Sequence, residues 1–386
     1  MGWKSFSQLF NHTREVEISD MSGMTIAIDA MTEIYRGALA TKNVGALTDS
    51  NGNPTIHITV VLSTIMDFIN NKVNQIWVFD YNQQPNKAFH NAAKLGELAK
   101  RKVKKDKALT ALKELFSDSD EDYESDTEET TNQSKRQVDS DEETVVTKKE
   151  TIAKLKVQKR LALEKQAFTV SAAMINDVKI ILDGLNIPYM EAPEGFEGEG
   201  VASYLNKTGV VDAVFSGDTD SIAYGATKLF RRVPIKKAIY EYTYDDIMEQ
   251  VKEKNDDLAK YDIDLLIKCA LIMGTDFCEK TPGIGPKTVF KKIEYIDLTP
   301  EQEKAFIEFK KEPDMSKVLK STESASNKED LINWLVNERQ FDKARITKKL
   351  EFVDYTALHK KVSKSAPRAK PIEKQKIVKR TIKSTK

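Results

Sequence analysis

The hydrophobic positions of this chain change period several times, and each change marks an element. Short apolar runs of the kind that a parallel sheet buries on both faces occur at Thr25–Asp29 (TIAID) and Gln75–Asp80 (QIWVFD). Between them, Ile56–Asn70 repeats its apolar residues at helical spacing, so strand, helix and strand predict a βαβ unit. From Asn86 to about Phe116 the pattern is helical and basic, a charge run that is ordinarily the solvated face of a helix. Residues 117–147 are acidic, rich in Ser and Thr and nearly free of large apolar side chains; they cannot bury enough surface to order themselves and are expected to form a disordered insert. The helical pattern resumes over Lys148–Lys165 and continues through Ser171–Leu185, where Met174, Val178, Ile181 and Leu182 share one face. Beyond it the pattern predicts a helix near Val201–Thr208, a strand at Ala213–Ser216, a helix over 264–273 and the start of another at Val289–Ile293. Past residue 300 the chain is helical and polar, with Trp334, Leu335, Phe341 and Leu350 as docking positions, and beyond residue 360 it is expected to be unfolded.

Composition sharpens this picture in two places. At 386 residues with 40% hydrophobic side chains the chain can bury a substantial core in one large domain or two. Lys+Arg and Asp+Glu are both 60, but the balance hides a segregation: residues 118–143 carry 12 acids against 2 bases, and residues 360–386 carry 11 bases against Glu373. The two cysteines, Cys269 and Cys278, exclude a disulfide scaffold, and no Cys/His group with zinc-ligand spacing accompanies them. No apolar run approaches the ~20 residues that span a bilayer, so the expected protein is soluble and intracellular, with no membrane partner.

Seven acids then stand out by position. Asp29, Asp80, Glu197, Glu199, Asp218 and Asp220 fall where buried strands should end, and Asp276 falls in a helical stretch. A carboxylate just past such a strand faces the crevice where open α/β sheets bind ligands. Hard oxygen donors in this number suit Mg²⁺ or Mn²⁺, which bridge to substrate phosphate, and two such ions clamp both oxygens of an in-line displacement. Taken singly, each acid is weak evidence, because a GDTD turn is more often a solvated loop and an Asp after a strand is often a helix N-cap. The TPGIGPKT turn adds Gly283 and Gly285, whose backbone freedom can expose successive N–H groups at a helix start beside Lys287, a geometry suited to a nucleic-acid phosphate; alone it is an ordinary turn between helices.

In order and approximate spacing, the Met-Gly start, IAIDAMTEIY, IWVFD, KLGELAKR, GLNIPYMEAP, Glu197-x-Glu199, Asp218-x-Asp220 and GTDFCEKTPGIGPKT together resemble the flap endonuclease group within the XPG-like structure-specific nucleases. The resemblance runs over most of residues 1–295. It implies a PIN-like α/β fold with a central, mostly parallel sheet flanked by helices, a helical arch and a helix-two-turn-helix module. The division implied along the chain is a nuclease region over 1–115, the acidic insert in the arch over 116–148, a second nuclease region over 149–260, the helix-two-turn-helix and C-terminal helices over 261–355, and a basic tail over 360–386. It also implies that the seven acids hold two Mg²⁺ ions, with Mn²⁺ able to substitute, and that a K⁺ ion sits at the Gly283–Lys287 turn. Tyr35 falls on the position whose ring stacks on a base at the cut site, and Gly2, Gly283, Gly285 and Lys287 on DNA-binding positions. Lys94 and Arg101 match the pair placed over the scissile phosphate, although the spacing from Asp80 selects Lys87 instead.

The implied activity is hydrolysis of phosphodiester bonds at single-strand/double-strand junctions of branched DNA (5′ flaps, nicked or gapped duplex) by a monomer, as a flap endonuclease and 5′–3′ exonuclease, in the nucleus or another site of DNA replication. The chain also departs from the family pattern. Tyr81-Asn82-Gln83-Gln84-Pro85 replaces the usual residues after the VFD strand, and Thr64 stands where an Arg is usual in a DNA-contacting helix. No sliding-clamp box is found near the C-terminus, so clamp recruitment is not implied. An RNA-cleaving nuclease of the same fold and a catalytically inactive junction-binding scaffold remain open as alternatives.

Overall fold

The computed structural model describes residues 3–40, 48, 49, 54–81, 92–120, 158–160, 162, 163, 166–233, 238–316, 319, 320 and 328–351. Gly2, Lys87, most of the acidic insert and of Lys148–Lys165, and the basic tail lie outside the described residues.

The apolar runs pair as their composition demands. Strands β1 (Arg14–Val16), β2 (Thr25–Asp29), β3 (Asn74–Phe79), β4 (Tyr189–Glu191), β5 (Ala213–Ser216), β6 (Lys228–Val233), β7 (Ala238–Thr243) and β8 (Leu319–Lys320) form a single sheet in the order β1-β7-β6-β5-β2-β3-β4-β8. Its five inner strands, β6 to β4, run parallel, while β7, β1 and β8 add antiparallel edges. Chain order leaves β2 in one direction toward β3 and β4 and in the other toward β5 and β6, so the strand order reverses at β2, where open parallel sheets bind ligands past their C-terminal ends.

Alternate side chains of each inner strand enter different cores, which is why these segments read as unbroken apolar runs. Ala27, Ile76, Val78 and Val214 face one core with the helices Gly198–Lys207, Ile263–Met273 and Pro300–Lys310. Ile26, Ile28, Trp77, Phe79 and Phe215 face the other, covered by the helices Ala30–Ala40, Ile56–Asn70 and Ala172–Gly184. The C-terminal helices Lys328–Asn333 and Lys343–Leu350 close the second core: Leu335 and Leu350 are fully buried there, with Trp334 and Phe341 packed against it. Among the described residues no helix is long and apolar enough to cross a membrane.

The local boundaries have local causes. Ser171 caps Ala172–Gly184 by accepting from the Met174 amide at 3.3 Å. The helix expected near Val201 begins earlier, at Gly198, so that Glu197 is its N-cap residue and Glu199 lies in its first turn. The basic helix runs Ala92–Asp120, four residues into the segment expected to be disordered. Asp276, expected on a helix, instead lies in the loop after Ile263–Met273, because Gly274 ends that helix with a φ of 90°.

Gly198 fixes the approach of its helix to the sheet. A Cβ there would lie 3.0 Å from the Phe79 carbonyl carbon and 3.1 Å from the Val78 oxygen, both backbone atoms that cannot move aside cheaply. Gly198→Ala is therefore expected to lower stability by about 1–3 kcal/mol in urea denaturation; an unchanged midpoint would show that the helix is free to shift.

Candidate active site

Parallel strands deliver their C-terminal ends to one edge of the sheet, and the acids gather there. Asp29 is the last residue of β2, Asp80 follows β3, Asp218 lies two residues past β5, and Asp220 opens the short helix Asp220–Ala223. Glu197 and Glu199 arrive on the helix that Gly198 seats against the end of β3, and Asp276 comes from the loop after Ile263–Met273.

Five of the seven carboxylates accept hydrogen bonds that orient them. Asp29 accepts from the Thr32 amide at 3.2 Å, from the Thr32 hydroxyl, and from Ser216 Oγ at 2.9 Å, so it caps the helix that follows it and bonds across to β5. Asp80 Oδ1 accepts from the Gly198 amide at 2.7 Å. Glu199 Oε1 takes both the amide and hydroxyl of Ser221, at 2.8 and 2.6 Å, and Glu197 Oε2 takes the Tyr224 hydroxyl at 3.3 Å. Asp218 Oδ1 accepts from the Thr219 amide at 2.7 Å.

These bonds do not offset the crowding. Burial, followed by repulsion from Asp80, pushes the Asp29 carboxyl up to about 6, although its hydrogen bonds from Thr32 and Ser216 pull the other way. Burial and then the charges of Asp218, Asp220 and Asp29 hold Glu199 well above the usual carboxylate range. Burial raises Asp218, and Asp276 adds repulsion. Burial and then Asp220, Glu199, Glu308 and Asp218 raise the Tyr224 phenol, which stays a donor. Six of the seven acids thus belong to one electrostatic cluster, and Glu197 joins it through Tyr224.

As the side chains stand, no group of three or more His, Cys, Asp or Glu among the described residues is arranged to hold a metal ion. The donor set nevertheless fits hard divalent cations: it is all carboxylate, with Asp29 and Asp220 buried, and it is destabilised by its own charge.

The remaining expected residues lie on other elements. Lys94 and Arg101 both occupy the helix Ala92–Asp120, seven residues apart in the chain. That helix is tied to the Asp276 loop by Lys100 Nζ, 3.0 Å from Glu279 Oε1, and the Lys4 amide donates to the Gly274 oxygen at 2.9 Å, bringing the N-terminal segment to the same loop. Tyr35 is half-buried, its ring edge-on to Phe168 with centroids 5.9 Å apart. At the turn, Gly283 has a φ of 76° and Lys287 is exposed. The Gly285 amide, expected to face outward, donates to Thr288 Oγ1 at 3.1 Å, a correction to the expected row of open N–H groups.

Thr64 gives a second departure. It is buried, donates to Glu33 Oε2 at 3.2 Å, and accepts from Arg36 Nη2 at 2.8 Å, while Arg232 reaches Glu33 at 3.5 Å. The position is part of an internal ion network rather than a surface contact. The orienting donors Thr32, Ser216 and Ser221 were not singled out from the sequence. Their signal is adjacency, since each lies within three residues of an acid.

With this geometry in place, comparison with known proteins is decisive. Residues 1–108 match the XPG N-terminal domain and residues 186–276 the XPG I-region, together more than half of the chain. The chain belongs to the XPG family. Flap endonuclease 1 of Nanoarchaeum equitans is 28% identical over 354 residues, covering 88% of this chain and 90% of the relative. Flap endonuclease 1 of Drosophila mojavensis is 27% identical over 358 residues, covering 86% and 78%. Among solved structures, flap endonuclease-1 from Methanococcus jannaschii superposes with a TM-score of 0.59 at 23% identity, covering 89% of this chain and 96% of that one. Human GEN1 in complex with Holliday junction DNA gives 0.53 at 16%, covering 91% and 77%. These likenesses confirm the family's mixed, mostly parallel sheet flanked by helices. Both XPG regions contribute acids: Asp29 and Asp80 lie in the first, and the other five in the second.

If the cluster is strained by like charge, removing one charge stabilises the protein in EDTA. Asp218→Asn keeps the acceptor for the Thr219 amide and is expected to raise the melting temperature at pH 7.5 by about 1–3 °C. Because the folded-state pKa of Asp218 is raised, the wild type recovers stability as pH falls through that value and the difference closes toward pH 4. A lower melting temperature for the variant at pH 7.5 would contradict the repulsion.

Proposed function

We propose that this XPG-family chain is a metal-dependent, structure-specific 5′ nuclease that hydrolyses phosphodiester bonds at the single-strand/double-strand junctions of branched DNA. The observation that carries this reading is the gathering of carboxylates from β2, β3, β5 and the Gly198–Lys207 helix on one sheet edge, where their mutual repulsion calls for cations. Asp29, Asp80, Glu197, Glu199, Asp218, Asp220 and Asp276 would hold two Mg²⁺ ions, or Mn²⁺ in their place. When bound, such ions supply Lewis-acid stabilisation of the phosphate and lower the pKa of the attacking water.

The chain's own residues supply the positioning. Thr32, Ser216, Ser221 and the Gly198 amide orient the carboxylates of Asp29, Glu199 and Asp80. The Ala92–Asp120 helix serves as one side of an arch, with Lys94 and Arg101, or Lys87 in place of Lys94, facing the scissile phosphate and stabilising its developing charge. Tyr35 stacks on a base beside the cut, and the segment after Gly2 lines the same edge. The helices Ile263–Met273 and Val289–Lys292 with the intervening turn form a helix-two-turn-helix that grips duplex phosphates through Gly283 and Lys287, with K⁺ at the turn. The enzyme acts as a monomer, and the product retains a 5′-phosphate.

Labelled 5′-flap DNA, a nicked duplex, a Holliday junction and an RNA hairpin, each incubated with the full chain in Mg²⁺, test the reading. Cleavage is expected at the flap junction, lost with Asp218→Ala and reduced about 10²–10³-fold with Arg101→Ala. Cleavage of the RNA alone would favour an RNA nuclease, and junction binding in Ca²⁺ without cutting in Mg²⁺ or Mn²⁺ would favour a scaffold.

A further inference from the structure

Behind the acidic edge lies a column of three aromatic rings. Tyr224 packs on Phe309 with centroids 4.7 Å apart, and Phe309 meets Phe277 at 5.2 Å. The column joins separate parts of the carboxylate set. At one end the Tyr224 hydroxyl donates to Glu197 Oε2 at 3.3 Å, and at the other Phe277 follows Asp276 in the chain. The Tyr224 amide also donates to the Asp220 carbonyl at 2.9 Å, closing the short helix that Asp220 opens.

The hydroxyl is the informative atom. A phenylalanine would fill the same volume, whereas a hydroxyl placed among protein groups costs free energy unless it finds a partner, and here the partner is a candidate ligand. At 3.3 Å the bond is longer than the usual O–H···O contact and is correspondingly weak. Gly200 makes the arrangement possible: a Cβ at that position would lie 3.3 Å from Tyr224 Cε1, and Gly200 follows directly on Glu199. The ring therefore packs against the same turn that presents both glutamates.

We propose that Tyr224 is a positioning residue, whose hydroxyl aims the Glu197 carboxylate at a bound divalent cation while the Tyr224–Phe309–Phe277 column sets the spacing between Glu197 and Asp276. This inference rests on the divalent-cation reading of the acidic edge. It assigns the tyrosine no chemical step.

The test is Mn²⁺ titration of the full chain, followed by the electron paramagnetic resonance signal of free Mn²⁺, for wild type, Tyr224→Phe, Gly200→Ala and Asp218→Ala, with the metal-free melting temperature of each in EDTA. Tyr224→Phe is expected to weaken Mn²⁺ binding about tenfold with its metal-free melting temperature unchanged, and to raise the Mg²⁺ concentration for half-maximal flap cleavage by the same factor. Gly200→Ala, which displaces the ring and keeps the hydroxyl, is expected to weaken binding as well. Wild-type affinity in both variants, alongside loss of binding in Asp218→Ala, would overturn the role of Tyr224 and leave the metal reading standing. A lowered melting temperature with Mn²⁺ affinity unchanged would reduce Tyr224 to packing and overturn it too. Wild-type affinity in Asp218→Ala would remove the metal reading itself, and this inference with it.

Discussion

Like charges forced together at the end of a sheet are the constraint on which the rest of this structure turns. Five parallel strands deliver their C-terminal ends to one edge, and three of them carry an aspartate at or just beyond that end. Burial and mutual repulsion raise Asp29, Glu199 and Asp218 together, which no arrangement for stability alone would select. The fold holds this arrangement by surrounding the carboxylates with hydroxyl and amide donors and by closing both faces of the sheet with apolar helices. Removing the donors would let the acids turn toward water and separate; removing the cores would release the strands that present them.

The same constraint accounts for glycine and small polar residues near the edge. Gly198 lets a helix start against the backbone of β3, and its amide holds Asp80. Ser216 bonds to Asp29 and accepts from the Asp218 amide at 2.9 Å, linking two strand ends through one hydroxyl. The glutamates enter from a helix that could not approach so closely with a larger residue at 198.

Much of this was legible in the chain itself. Thr25–Asp29, Ala213–Ser216 and Ile56–Asn70 were bounded correctly because their apolar periodicity is strong and local. The antiparallel edges β1 and β8 escaped because they are two or three residues long and carry no period. The apolar spacing before Asp276 reads as a helix that would carry it, but that helix ends at Met273, and the glycine that follows is its stop signal. The roles of Thr64 and Tyr224 were out of reach, since their partners Arg232 and Glu197 lie 168 and 27 residues away and only the folded chain brings them together. The acids were found by their order and context, but their coupling is a property of the fold.

The central claim is that this edge is a divalent-cation site. The most direct test is anomalous diffraction from crystals of the chain grown with Mn²⁺. Peaks within about 2 Å of carboxylate oxygens of Asp29, Asp80, Glu199, Asp218 and Asp220 are the predicted result. Absence of anomalous density along this edge, at an Mn²⁺ concentration that supports cleavage in solution, would contradict it.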